Sequence, residues 1–410
     1  MLSLVKFMQG GEGMAGKTIR FEIDLTSTLN GFRSAHRPTE AHRRILAHYA
    51  SPLLLGPEPS DNLLEMVMHM FSEEEAEIVR YLPPLRPRTI EKVASLSGRP
   101  ENEVRNILDF LAFTKRVVLG WGEPRKYTLL PIVPGTFEMA LMTPDLSSRN
   151  LWHKRFAELF EKIWNEGYMA NYVRRVRSNV HYLPVKGSVD PLYRAWPSDR
   201  LEEVLDPYDD FAVGMCQCRM TMELVGKGCG KPLEACVTMG PTAIRFIDRG
   251  LMRKSDKKEI LEIKGHAEEE GCVSWMMEDI GGVHRGNSSC SCCSCCCHFL
   301  QSLSRFNAPG FISNPHFLPS RDEAACVNCG KCASACPMDA WNFRDGKLSL
   351  DSMRCIGCGL CVTACPVNAL SLKESRNSIP KQPGWFRYYM DLAPGYLFNA
   401  FRVWLRRAIS

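Results

Sequence analysis

Cys326-Val-Asn-Cys329-Gly-Lys-Cys332-Ala-Ser-Ala-Cys336-Pro337 recurs as Cys355-Ile-Gly-Cys358-Gly-Leu-Cys361-Val-Thr-Ala-Cys365-Pro366, every cysteine 29 residues after its counterpart. This internal duplication decides the reading of the C-terminal part of the chain. Three thiols on one tight loop reach three irons of a four-iron cube, and the loop cannot also wrap round to the fourth. The fourth ligand then comes from the other repeat. The spacing therefore predicts one [4Fe–4S] cluster on Cys326, Cys329, Cys332 and Cys365, and a second on Cys355, Cys358, Cys361 and Cys336. Gly330, Gly357 and Gly359 allow the backbone to turn close to a cluster, and Asp345-Gly346 predicts a hairpin over Phe343–Leu348 between the halves. A zinc site is the competing reading of any four cysteines; the duplicated spacing argues against it here.

Upstream lies a second cysteine field: Cys216-x-Cys218-Arg219, Cys229, Cys236 and Cys272, then Cys290-Ser-Cys292-Cys293-Ser-Cys295-Cys296-Cys297-His298. Six free thiols within eight residues repel as thiolates and oxidise readily unless something binds them. One or two further Fe–S clusters are expected here, drawing on Cys216, Cys218, Cys229, Cys236, Cys290, Cys292, Cys293, Cys295, Cys296 and Cys297. Neighbours such as Cys292 and Cys293 are expected to point apart and serve different centres. Arg219 is a candidate to neutralise cluster charge, and His284 and His298 are weighed as ligands or proton donors against an ordinary packed role.

All 19 cysteines of the 410-residue chain lie beyond residue 215, and no N-terminal stretch has the pattern of a secretory signal. A reducing cytoplasm and metal ligation are thus expected rather than disulfides. A net charge of +5 is too mild to argue for nucleic acid. No apolar run reaches the length of a membrane span. The segment Gly11-Glu-Gly-Met-Ala-Gly16-Lys17-Thr18 matches a phosphate loop, but Ile19, Phe21, Ile23 and Leu25 alternate with polar residues, so a strand follows where a helix is required. Met14 as the true start would remove most of the motif.

Residues 40–71 read as helical around a loop at Pro52–Asn62. Ser72 and Glu75 form a capping box for a helix to about Tyr81, followed by helices at Thr89–Leu96 and from Pro100. Arg116–Leu119 and Arg125–Leu129 then flank a turn. Three helices and a hairpin are the layout of a winged helix-turn-helix. Glu101, Glu103 and Asp109 on its third helix oppose phosphate contact, so docking is expected in preference to DNA binding. An amphipathic helix through Leu151, Phe156, Phe160 and Trp164 opens the next region, with extended pieces such as Val180–Val185 beyond it. The expected fold is α+β and multidomain: a strand and helical segment (1–71), a winged-helix-like domain (72–144), an α/β cysteine-rich middle domain (145–315), a bacterial dicluster ferredoxin-like domain (316–375) and a basic aromatic tail (376–410). The tail, interrupted by Arg387, Asp391, Arg402, Arg406 and Arg407, is expected to pack back on its own protein, with a membrane surface or a partner as the alternatives.

The order of these features resembles the 4Fe–4S ferredoxin-domain proteins of anaerobic bacteria and archaea, a functionally ill-defined family. The resemblance spans about residues 40–372: the winged-helix segment entering Pro134-Gly-Thr-Phe-Glu138, Cys-x-Cys-Arg, Cys229 to Cys236, Ala267–Cys272, Cys-x-Cys-Cys-x-Cys-Cys-Cys and the dicluster module. It implies clusters and no particular reaction. The function expected is relay of low-potential electrons to or from a partner oxidoreductase. Beside it stand a reductase with its own substrate site in the middle domain and a redox-sensing DNA-binding regulator. No Rossmann glycine fingerprint is present, which argues against direct nicotinamide chemistry.

Overall fold

The computed structural model describes residues 37–84, 86–172, 180–185, 188–189, 201–277, 288–308, 312, 314–345, 347–375 and 385–409. The expected N-terminal strand, the phosphate-loop-like segment, Met14 and His284 lie outside them.

The N-terminal body is helical because its apolar residues recur at helical spacing and four of its helices start on capping side chains, Thr39, Ser60, Ser72 and Asn150. Helices cover Glu40–Tyr49, Asp61–Met70, Glu73–Val79, Ile90–Ser97, Glu101–Asp109 and Leu151–Asn165. Both bonds of the Ser72–Glu75 capping box form: the Ser72 amide donates to the Glu75 carboxylate at 2.7 Å, and the Glu75 amide donates to Ser72 Oγ at 3.3 Å. The same carboxylate accepts from buried Lys115 Nζ at 2.7 Å, so both members of this internal charge pair are satisfied. Strands β1 (Arg88–Thr89), β2 (Leu119–Trp121) and β3 (Lys126–Thr128) form an antiparallel sheet in the order β1-β3-β2. One apolar core containing Ile45, Val67, Leu108, Phe156 and Phe160 joins all these helices and also takes in Met220, Ala308 and Val403.

The middle region is built on a six-stranded sheet of β4 (Val180–Tyr182), β5 (Phe211–Met215), β6 (Glu234–Met239), β7 (Arg253–Ser255), β8 (Val273–Met277) and β9 (Ser288–Cys292). Their order is β4-β8-β9-β6-β5-β7, and every pairing is antiparallel even though helices alternate with strands along the chain. The register sets Cys236 of β6 directly opposite Cys290 of β9.

The C-terminal module repeats itself in three dimensions. Strands β10 (Phe317–Arg321) and β13 (Leu370–Glu374) pair antiparallel, as do β11 (Trp341–Arg344) and β12 (Lys347–Leu350), which form the expected hairpin. Short helices at Lys331–Ser334 and Leu360–Thr363 follow Gly330 and Gly359, both at positive φ. Asn328 and Gly357, and Asp339 and Asn368, are also matched left-handed positions one repeat apart. The module is tied to the middle region by the Val185 amide, which donates to the Cys358 carbonyl at 2.8 Å, and by Arg354, which donates to the Ser304 carbonyl at 3.3 Å.

Helix Trp385–Ile409 packs back onto the helical body. Val403 enters its core, Arg407 pairs with Glu58 at 2.6 Å, and Arg402 and Arg406 donate to Asn171. Leu397, Phe401 and Trp404 stay exposed. Among the described residues no helix is long and apolar enough to cross a membrane.

Candidate metal centres

Two small cavities lie in the C-terminal module. One is lined by Cys326, Cys329, Cys332 and Cys365, the other by Cys355, Cys358, Cys361 and Cys336. Each therefore takes three thiols from one repeat and one from the other. Backbone amides point at the sulfurs in repeat-related pairs: Ala340 N–H donates to Cys336 Sγ at 3.3 Å and Ala369 N–H to Cys365 Sγ at 3.2 Å. Such donors favour a thiolate over a thiol. Burial works the other way, pushing Cys361 up to about 11 and raising Cys332 and Cys358, so these thiols lie ionised only when a cation holds them. The glycine at 357 is dictated by space as well as by φ: a Cβ there would stand 2.6 Å from the Phe317 carbonyl oxygen and 2.8 Å from Pro315 Cβ. The donor set, the amide bonds and the close backbone approach all fit [4Fe–4S] clusters.

The two cavities differ in depth. Cys329 is exposed and Val327 beside it is 62% exposed, so the first cavity opens to solvent. Cys355, Cys358 and Cys361 are buried, and Cys355, Ile356 and Cys358 pack in one core with Cys292, Cys297 and Leu300 of the middle region.

The ten candidate thiols of the middle field sort into three groups. Cys229, Cys293, Cys295 and Cys296 bring all four sulfurs within 4.8 Å of one another; among the described residues no other group of three or more cysteine, histidine or acidic ligands does so. Neighbouring sulfurs stand 4.0 Å apart at Cys229 and Cys293 and 3.7 Å apart at Cys295 and Cys296. Cys216, Cys218, Cys297 and Cys292 form a second group, in which each thiol neighbours the next in that order. Cys236 and Cys290 make a third contact, sulfur to sulfur at 3.7 Å, across the β6–β9 ladder.

Adjacent cysteines part company at Cys292/Cys293 and at Cys296/Cys297, as expected. Cys295 and Cys296 depart from that expectation and share one group, because residues 294–296 form a turn and do not alternate as an extended strand would. His298 proves to be a packed residue. Its Nε2 is bonded to Glu161 Oε1 at 2.6 Å, and its ring meets Phe137, Phe160 and Trp164 edge-on.

Arg219 is 1% exposed and lies between the first two groups. Its Nη1 donates to the Ser291 carbonyl at 2.8 Å and lies 3.7 Å from Cys272 Sγ and 3.9 Å from Cys293 Sγ, while Nε and Nη2 have no hydrogen-bond partner among the described residues. A guanidinium buried this way needs nearby negative charge, and thiolates are the anions at hand. Hydrogen bonding from Cys296, resisted by burial and aided by Arg219, brings Cys293 down to about 5. Hydrogen bonding from Cys218, with the same opposition and aid, brings Cys216 down to about 6. Two contributors lie outside the ten expected ligands. Cys272, whose thiol burial pushes up to about 11, lines the Arg219 site without joining the compact quartet. Lys264, 1% exposed and donating to Ser289 Oγ at 2.7 Å, is a second buried cation facing Cys290, Cys236 and Cys292, with Glu268 further along its own helix. In sequence Lys264 reads as one more surface lysine of an amphipathic helix.

Residues 318–370 match the 4Fe-4S dicluster domain family. No curated protein matches the chain. A dicluster domain carries two [4Fe–4S] clusters and an electron-transfer role, and the Cys229, Cys293, Cys295 and Cys296 quartet adds a further candidate metal site.

Proposed function

We propose that the chain relays low-potential electrons to or from a partner oxidoreductase, and that its two clusters sit on Cys326, Cys329, Cys332 and Cys365 and on Cys355, Cys358, Cys361 and Cys336. The observation that carries this reading is the pair of cavities, each completed by one thiol from the opposite repeat. Such clusters supply one-electron transfer without bond making. The residues around them hold the thiolates, donate amide hydrogen bonds and exclude water from the deeper cavity. The exposed rim at Val327, Asn328 and Cys329 is the place for a partner to dock. The helices from Glu73 to Asp109 with the β1–β3 sheet are read as a winged-helix unit used for docking. Acidic Glu101 and Glu103, together with the Asp109–Arg125 ion pair at 2.7 Å, support that over DNA binding.

The compact quartet is read as a mononuclear site. Bonds of about 2.3 Å at tetrahedral angles put thiolates roughly 3.8 Å apart, whereas a cluster interposes its own irons and sulfides. The observed 3.7 and 4.0 Å separations suit one zinc ion.

Anaerobic reconstitution of the full chain, with iron, sulfide and zinc counted, tests this. At least about eight irons per chain are expected from the dicluster, with about one zinc. Cys336→Ser should perturb the cluster of the second repeat and Cys365→Ser that of the first. Loss confined in each case to the variant's own repeat would overturn the crossed ligand assignment.

A further inference from the structure

The second thiol group of the middle region lies outside the dicluster module and outside the compact quartet. Cys216 and Cys218 come from the start of helix Gln217–Leu224, Cys292 ends β9, and Cys297 immediately precedes helix His298–Phe306. Cys216, Cys292 and Cys297 are each no more than 6% exposed. Cys216 and Cys297 are both N-cap residues, each lying at the positive end of its helix. Two helix N-termini, each favouring negative charge, thus converge on one buried spot. Arg219, with two donor atoms unpaired, adds a full positive charge beside it. An environment with this much positive potential and, among the described residues, no carboxylate within hydrogen-bonding reach of Arg219 is matched to an anionic occupant.

The spacing distinguishes this group from its neighbour. Its thiols neighbour one another in a chain, and among the described residues no three of them fall within the 4.8 Å that embraces the compact quartet. A single tetrahedral ion would draw all four together; a cluster, with several irons to be reached from different sides, takes the wider arrangement. Cys292 and Cys297 also share one continuous apolar core with Cys355 and Cys358. The β9-to-helix segment therefore presents Cys292 and Cys297 toward the dicluster side, and Cys293, Cys295 and Cys296 to the compact quartet.

We infer that Cys216, Cys218, Cys292 and Cys297 hold a third iron–sulfur cluster, next in line to the buried cluster of the ferredoxin module. This deepens the relay reading and rests on it for the direction of transfer. One electron leaves the reduced buried cluster and enters the third, or the reverse, and no proton or other atom changes place. The reductant is an external low-potential electron carrier acting through the exposed cluster. The relay thus runs from solvent, through the module, into the middle region.

The test uses the full chain reconstituted anaerobically with iron and sulfide, then reduced with dithionite. Iron of about ten to twelve per chain is expected, with spin quantitation showing a third paramagnetic centre beyond the two of the dicluster. Cys216→Ser/Cys297→Ser should lower iron to about eight and remove only that third signal, leaving the zinc in place. Cys293→Ser should do the opposite, losing zinc and keeping all the iron. Wild-type protein that stops at about eight irons with two centres overturns the third cluster and leaves the dicluster reading intact. So does a second zinc ion that disappears in Cys216→Ser/Cys297→Ser. Because the wild-type count decides the matter alone, misfolding of a variant does not obscure it.

Discussion

The ferredoxin module and the middle region both concentrate cysteines, yet they assemble their sites in opposite ways. In the module, ligands sit on two short loops related by a 29-residue repeat, and local turns at Gly330, Gly357 and Gly359 do the positioning. In the middle region, thiols as far apart in sequence as Cys216 and Cys297 are gathered by an antiparallel sheet and two helix starts. The module neutralises its thiolates with backbone amides; the middle region adds two buried side-chain cations, Arg219 and Lys264. A repeat of loops is legible as spacing. A site made by strand register is not.

The contrast can be broken most severely at Gly357. Gly357→Ala forces a Cβ against the Phe317 carbonyl and onto a backbone at φ +73°. Loss of the second-repeat cluster, about four irons, is expected, with zinc content unchanged in the same metal analysis. Zinc falling along with the iron would mean that the two regions do not form their sites independently. Next in size is Cys295→Ser, which removes a ligand from the compact quartet. Zinc should drop from about one per chain to a small fraction, while the dicluster absorption persists; Cys272→Ser, beside the quartet but outside it, should retain zinc.

A smaller effect is expected at Arg219. Arg219→Met keeps the stem and deletes the charge, and zinc retention against a chelator competitor should weaken by about 10- to 100-fold, the usual scale for groups behind the ligands. Unchanged retention would show that the buried guanidinium is not balancing the quartet. Smallest of all is Asn328→Gly, which gives the first repeat the residue found at the equivalent position of the second. Asparagine already tolerates the left-handed region, so cluster content should stay the same and the anaerobic unfolding midpoint should move by no more than roughly 0.5 kcal/mol.

Several local features of the fold were readable because they depend on nearby residues. The Ser72–Glu75 box, the helices of the N-terminal body and the hairpin at Asp345 all follow from short-range pattern. The same logic failed at Cys295 and Cys296, where alternation was assumed and a turn intervened. It gave no hint of Lys264, whose role exists only because its helix packs β6 and β9 beneath it. Nor did it rank the ten middle thiols, since their partners come from separate strands and helices.

By itself, the sequence determined that this chain binds two [4Fe–4S] clusters. Eight cysteines at duplicated spacing leave a four-iron cube no other economical way to be held, and that constraint is local to each loop. Tertiary structure alone decided how the remaining thiols divide. The β6–β9 register, the turn at residues 294–296 and the helix starts at Cys216 and Cys297 send neighbouring side chains to opposite sides of one segment. Those directions are fixed by long-range packing, and one-dimensional spacing carries no record of them.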